Sequence, residues 1–453
     1  MLSVVPIMLA LALPAAPAAP TAPAAPVDPS PETRLAAALK DGAVAWQFSG
    51  PEEVAAVLGA PQKDENKREG GDELLFRDYE GGLVVVFGRE AGTTGPYALL
   101  GYMVGDRVVQ PGENEPLRLR TGADVARLRP FTGLKNVDAS RVDLRAEGAR
   151  IRALPFDTLT RWPAPDKLPA GFDPAALLAA GRNPGLGLRA LHARGVDGRG
   201  VDVAIIDQPL LANHVELEGR LHLVAQLGVE GREPSMHANA VASIAVGRTV
   251  GVAPRADLYY VAVATWNAES EGNHDFVEAL KRLLELNRSG AAHIRVVSVS
   301  DGGFASRAQA AEWKAMVARA EREGVLLIVC DPDYTDLNFG LLRPLPGGDR
   351  EKPEGYKVGT YGGPLLAPGD ERTYAGERGR EDYAYEPRGG MSWVAPWLSG
   401  LAALGFQTNP ALTPARVRAY LGRSATKMPY GLVVNPEGFL KLCASDPDRP
   451  DKP

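Results

Sequence analysis

The chain has 453 residues, 45% hydrophobic and 23% charged, which is enough apolar material for more than one globular core and too little charge for a disordered polymer. A formal net charge of −6 argues against nucleic acid or an anionic membrane surface as partner, and two cysteines exclude a disulfide-rich scaffold. Cys330 ends an apolar run and reads as a buried thiol, with a Cys330–Cys443 bridge left open for an oxidising compartment.

Residues 2–13 form an apolar run too short to span a bilayer but suited to the hydrophobic region of a signal peptide. The Ala-Xaa-Ala triplets around Ala16-Pro17-Ala18 offer cleavage sites. No lysine or arginine precedes the run, which departs from an ordinary signal, and no lipobox-type cysteine follows, so no stable membrane anchor is expected. Residues 1–26 therefore read as an export segment, running into an Ala/Pro-rich linker, and the protein as secreted or periplasmic. Residues 33–142 are expected to form a small α+β module. Pro51 and Gly59 bound a short helix. Residues 73–79 and 83–87 flank Glu80-Gly81-Gly82 as a hairpin, 97–104 and 107–109 suggest a second strand pair, and the charge run at 63–68 reads as a solvated loop. Residues 143–184, rich in proline and aromatics, are expected to connect with little regular structure.

From Gly200 onward the apolar stretches 201–206, 258–263, 294–299 and 325–329 alternate with the helical patterns 237–246, 274–286, 307–323 and 392–406. Near-continuous apolar strands separated by helices predict a parallel sheet covered on both faces, and residues 185–443 read as one α/β domain. Residues 340–387, dense in glycine, proline and charge, are expected to be surface loops with one short strand near 356–361, and 444–453 a tail. In a parallel sheet functional groups collect at the C-terminal strand ends. Asp207, Ser300-Asp301-Gly302-Gly303 and Asp331-Pro332-Asp333 all fall there.

Gly389-Gly390-Met391-Ser392 leads into an apolar run to Leu404, which puts a serine hydroxyl at a helix N-terminus, where the backbone N–H can meet a developing oxyanion. Asp207 ends a short apolar strand and His237 opens a helix of small residues. The order Asp, His, Ser is the subtilisin order. At this point the sequence resembles the subtilisin-like serine proteases, over about residues 185–425. His214-Val215-Glu216-Leu217 looks like the family's His-Pro-Asp-Leu segment, Gly251-Val252-Ala253-Pro254 matches its Gly-Val-Ala-Pro entry, and Val296-Val297-Ser298-Val299-Ser300-Asp301-Gly302-Gly303 looks like its Asn-Met-Ser-Leu-Gly-Gly strand.

The resemblance implies a subtilisin-like three-layer α/β fold with a mostly parallel central sheet, preceded by the small α+β module. It implies a serine endopeptidase acting on polypeptides through an acyl-enzyme, with Ser392 as nucleophile, His237 as general base and Asp207 orienting the imidazole. Ser300, Asp301 and Gly302 would line the substrate strand, and His214 would be structural. No cofactor is required and the histidines show no metal-ligand spacing. Many relatives bind structural calcium, but no Asp-rich loop specifies it here. The N-terminal module could be an intramolecular inhibitor or a retained accessory domain.

This sequence also departs from the pattern. The family's His-Gly-Thr-His is His237-Ala238-Asn239-Ala240, Met391 replaces a threonine, and Trp393 and Trp397 put bulk where smaller or polar groups are usual, on the leaving-group side. Where the family has Ala-Ala-Gly-Asn this chain has Cys330-Asp331-Pro332-Asp333, placing Asp333 at the oxyanion-donor position with Asn338 as the alternative. These departures keep open a second reading, a catalytically weak or inactive domain that binds peptides or a partner protein.

Overall fold

The computed structural model describes residues 29–449 apart from positions 42, 47, 70–71, 91–95, 106, 110–115, 129–132, 265–273, 301–306, 332–334 and 336. The expected export segment lies outside the described residues. The chain divides into two compact units. One holds the residues up to Arg129 with Leu134–Ile151 and Leu159–Ala170, the other Pro130–Gly133, Arg152–Thr158 and Gly171–Pro453.

In the first unit, α1 (Pro31–Asp41) and α2 (Pro51–Leu58) precede a five-stranded antiparallel meander of β1 (Lys63–Glu69), β2 (Asp72–Tyr79), β3 (Leu83–Glu90), β4 (Ala98–Val104) and β5 (Arg107–Val109). Leu75, Tyr79, Val85, Phe87 and Leu99 on one sheet face close a core with Leu35, Val54 and Leu58 of the helices. The charge run expected as a loop is β1, registered on β2 from Lys63↔Asp78 to Glu69↔Asp72. It carries no apolar pattern because it is an edge strand, and its charges discourage further pairing. A short parallel pair, β6 (Leu117–Arg118) and β7 (Val137–Asp138), and α3 (Gly148–Ile151) complete the unit.

The second unit opens with β8 (Phe156–Asp157), α4 (Pro174–Gly181) and α5 (Leu188–Ala193). Helix α4 falls in the stretch expected to lack regular structure. Asp173 caps it by accepting from the Ala176 N–H at 3.0 Å, and Pro174 occupies the first helical position. Then β9 (Asp202–Asp207), β10 (Leu221–Leu227), α6 (Met236–Val246), β11 (Asp257–Val263), α7 (His274–Ser289), β12 (Ile294–Val299), α8 (Arg307–Arg322) and β13 (Leu326–Val329) follow in turn. The strands form one parallel sheet in the order β10-β11-β9-β12-β13. Val203 and Ile205 of β9 face the core shared with α6, whereas Ala204 and Ile206 face the core shared with α7 and α8. Both sheet faces are therefore dry, which is why these strands read as apolar runs. The half-exposed edge strand β10 has no such run, and its pattern did not announce it.

Residues 340–387 are not surface loops. They contain β14 (Gly340–Pro344), β15 (Tyr356–Val358), β16 (Leu366–Pro368), β17 (Arg372–Ala375) and β18 (Tyr383–Glu386), with Leu341, Leu342, Leu366, Ala367 and Tyr374 buried. Strands of three to five residues between glycine and proline turns are too short to show a period. Next come α9 (Met391–Thr408), α10 (Pro414–Ser424), β19 (Thr426–Met428), β20 (Gly431–Val433) and α11 (Pro436–Ala444). Helix α9 is buried along most of its length, packed on α6, β12, β14, β16 and α11. Its close approach needs Gly400, where a Cβ would lie 2.6 Å from Val252 Cβ. Cys330 is half-buried and Cys443 buried, and no disulfide joins them. Burial pushes the Cys443 thiol up to about 12. Among the described residues no helix is long and apolar enough to cross a membrane.

Candidate active site

Strand β9 sits between β11 and β12, and its C-terminal end opens at the point where the chain has placed later strands on both sides. Asp207 is the last residue of that strand, paired across to Ala262, and is 1% exposed. Its Oδ1 accepts two hydrogen bonds, from the Gln208 N–H at 2.8 Å and from His237 Nδ1 at 2.8 Å. Its Oδ2 is buried without a partner among the described residues. A proton held on Nδ1 by a carboxylate leaves Nε2 as the basic nitrogen.

His237 is the second residue of α6, and local chemistry keeps it there. Ser235 is the N-cap, its Oγ accepting the His237 N–H at 3.1 Å and also donating to Gln208 Oε1. Asn239 is fully buried in the first turn. Its Oδ1 accepts the Leu211 N–H at 2.8 Å and its Nδ2 donates to Gly376 O at 2.7 Å. The segment after Asp207 is thus tied to the start of α6 at two further points, which sets the separation of carboxylate and imidazole. The sequence reading did not assign Ser235, Gln208 and Asn239 to the site. The signals available were a serine immediately before a helix and a lone amide among alanines and valines.

Ser392 is the second residue of α9, entered through Gly390 at φ 91°. The first N–H groups of a helix have no carbonyl of their own to bond and carry the positive end of its dipole. Pro396, four residues on, has no N–H for the Ser392 carbonyl. Ser300, just past β12, supplies a hydroxyl donor instead: its Oγ donates to Ser392 O at 3.0 Å, while Ser392 Oγ donates to Ser300 O at 3.2 Å. Ser300, expected to line a substrate strand, therefore has its hydroxyl engaged with the backbone of Ser392. Trp393 packs edge-on to His237, with centroids 5.8 Å apart at 73°, and edge-on to Tyr374 at 5.8 Å and 89°. One ring thus links the residue after Ser392 to the imidazole.

The other expected site residues fare differently. Asp301, Gly302 and Asp333 lie outside the described residues. Asn338 is exposed, two residues before β14. Trp397 does not reach the leaving-group side, since it is fully buried and donates Nε1 to Pro184 O at 2.9 Å. His214 is buried with a defined tautomer, Nδ1 accepting the Glu216 N–H at 3.1 Å and Nε2 donating to Asp382 O at 2.7 Å. Desolvation holds its pKa below the ordinary histidine value. Glu216, also fully buried, accepts from the Thr249 N–H and hydroxyl and from the Tyr383 hydroxyl, so this segment is an internal brace.

The subtilase family model matches residues 198–340, a stretch that includes Asp207 and His237 and ends before Ser392. The chain is 25% identical over 264 residues to Subtilisin-like protease 3 of Pseudogymnoascus destructans, covering 55% of this chain and 63% of that protein. It is 26% identical over 255 residues to Subtilisin BL of Lederbergia lenta, covering 53% of this chain and 88% of that one. It thus spans less than two thirds of the length of the first of these relatives. A solved structure described under subtilase cytotoxin SubAB assembly aligns with a TM-score of 0.47 at 18% identity, over 58% of this chain and 95% of that one. The α/β domain that carries Asp207, His237 and Ser392 is similar to subtilisin-like proteases, and residues 198–340 within it match the subtilase family model.

Proposed function

We propose that this protein is an exported serine endopeptidase that hydrolyses peptide bonds in polypeptides through Asp207, His237 and Ser392. The observation that carries this reading is the 2.8 Å bond from His237 Nδ1 to buried Asp207 at the C-terminal end of β9. Ser392 Oγ adds to the scissile carbonyl as its proton passes to His237 Nε2. The imidazolium, stabilised by Asp207, gives that proton to the leaving amine, and an ester links the acyl group to Ser392. Water, deprotonated by the same Nε2, then hydrolyses the ester. The N–H at the start of α9 and a side-chain donor hold the oxyanion. That donor is either Asn338 or, in a protonated state, Asp333, because an ionised carboxylate has no proton to donate.

A second reading, a peptide- or partner-binding domain of weak or absent activity, is favoured by one contact: the Ser392 hydroxyl donates to Ser300 O at 3.2 Å. Labelling with a fluorophosphonate separates the two. Wild type should be labelled at Ser392 and Ser392→Ala should not. Asn338→Ala should slow the reaction by about 10²–10³-fold if that amide is the donor, and Asp333→Asn should extend it to higher pH if that carboxyl is. A wild type that stays unlabelled yet binds peptides gives the case to the second reading.

Export and the role of the N-terminal unit belong to the same proposal, supported by the apolar run at 2–13 and the position of residues 33–142 ahead of the catalytic domain. N-terminal sequencing of native protein should begin between about residues 16 and 26 for a retained module, following small-residue cleavage, or beyond 142 for a removed inhibitor. An intact Met1 in the cytosol would end the export reading.

A further inference from the structure

Asp370 follows β16 with its side chain fully buried. Its Oδ1 accepts the Gly389 N–H at 3.0 Å, three residues before Ser392, and its Oδ2 accepts from Arg343 Nε at 2.7 Å. Arg343 reaches it from the adjacent parallel strand β14 and also donates Nη2 to Pro387 O at 3.3 Å. The ion pair therefore grips the chain at residues 387 and 389, directly before Gly390 turns at φ 91° into α9. There is little slack at this point. A Cβ on Gly389 would lie 2.0 Å from Gly369 O and 2.8 Å from Trp393 Cγ, so the Trp393 ring lies directly over the Gly389 backbone. That same ring packs edge-on to His237.

The acidic turn is itself held in place. Glu371 adopts φ 53°, in the left-handed region that is uncommon for a residue with a side chain. Arg350 secures it through Nη1 to Glu371 O at 2.9 Å and Nη2 to Glu371 Oε2 at 3.0 Å. Burial pushes the Asp370 carboxyl up and Arg343 acts against that rise. A buried ion pair is a poor source of net stability, because desolvation offsets most of its attraction, whereas it does impose a defined geometry.

We propose that Asp370, held by Arg343, is a positioning residue for Ser392: it sets the turn at Gly389 and Gly390, and with it the direction of Ser392 Oγ and the seat of the Trp393 ring against His237. This rests on Ser392 being the nucleophile. Nothing in the sequence motifs marks Asp370, which comes to the site only because β14 and β16 are neighbours.

Asp370→Asn keeps the shape and one acceptor oxygen but turns an NH2 group toward either Gly389 N–H or the Arg343 guanidinium. Arg343→Gln opens the same bracket from a partly exposed side chain and serves if Asp370→Asn does not fold. Either variant should lower kcat and the fluorophosphonate acylation rate by about 10- to 100-fold, the scale of a small misplacement of reacting groups, with KM within about twofold. Hydrogen exchange across residues 387–393 should speed up in both. Wild-type acylation and exchange in both variants would overturn the proposal while leaving the peptidase reading intact. Faster exchange with unchanged kcat and KM would also overturn it, since the pair would then only stabilise the fold. A wild type that is not labelled at all would remove the peptidase reading and this one with it.

Discussion

Replacing Ser392 with alanine is expected to lower turnover of a peptide substrate by on the order of 10⁶-fold, and His237→Ala by a similar factor, magnitudes carried over from subtilisin itself. The two losses should not multiply. Without the serine there is no hydroxyl for the imidazole to deprotonate, and without the imidazole the hydroxyl is a poor nucleophile at neutral pH. The double variant should therefore sit close to either single one. Residual activity above the uncatalysed rate would report binding and the oxyanion site alone. Folding should survive, because Ser392→Ala removes one hydrogen bond to Ser300 O, a loss of about 1 kcal/mol. Thermal melting run beside the steady-state assay checks this. Activity of Ser392→Ala within tenfold of wild type would mean that another group is the nucleophile.

Asp207→Asn should cost on the order of 10⁴-fold in kcat, again by the measure of such triads. The physical reason is specific to this site. The same Oδ1 atom accepts from both the Gln208 N–H and His237 Nδ1. If the asparagine keeps its oxygen there, its NH2 group occupies the buried position of Oδ2, an atom that has no hydrogen-bond partner among the described residues. If it flips, the NH2 group faces the Gln208 N–H and drives the imidazole into the tautomer with its proton on Nε2, which can no longer accept from Ser392. In both cases the imidazolium loses its counter-charge. Steady-state kinetics should place the loss in kcat rather than KM. The tautomer can be read from the ring nitrogen shifts of ¹⁵N-labelled histidine. A loss below tenfold would remove Asp207 from the proposed mechanism.

Some of this was legible along the chain because it depends on near neighbours. Strands buried on both faces spell near-continuous apolar runs, as at 203–206 and 296–299, and helices of the doubly covered sheet announce themselves by period and caps. The Asp207, His237 and Ser392 stretches stood out because each pairs a polar group with the start or end of such an element. The edge strand β1, the half-exposed β10 and the short strands of 340–387 other than β15 were not legible. An edge has only one partner to satisfy, and a three-residue strand shows no repeat. What the tertiary structure alone decided is how the site is held. Ser300 caps the carbonyl that Pro396 frees, Asn239 ties the Asp207 loop to α6, and Asp370 reaches Gly389 from a neighbouring strand. Those bonds join residues from 19 to 92 positions apart. A buried polar group must find a partner wherever the packed chain brings one, and sequence spacing carries no record of that choice.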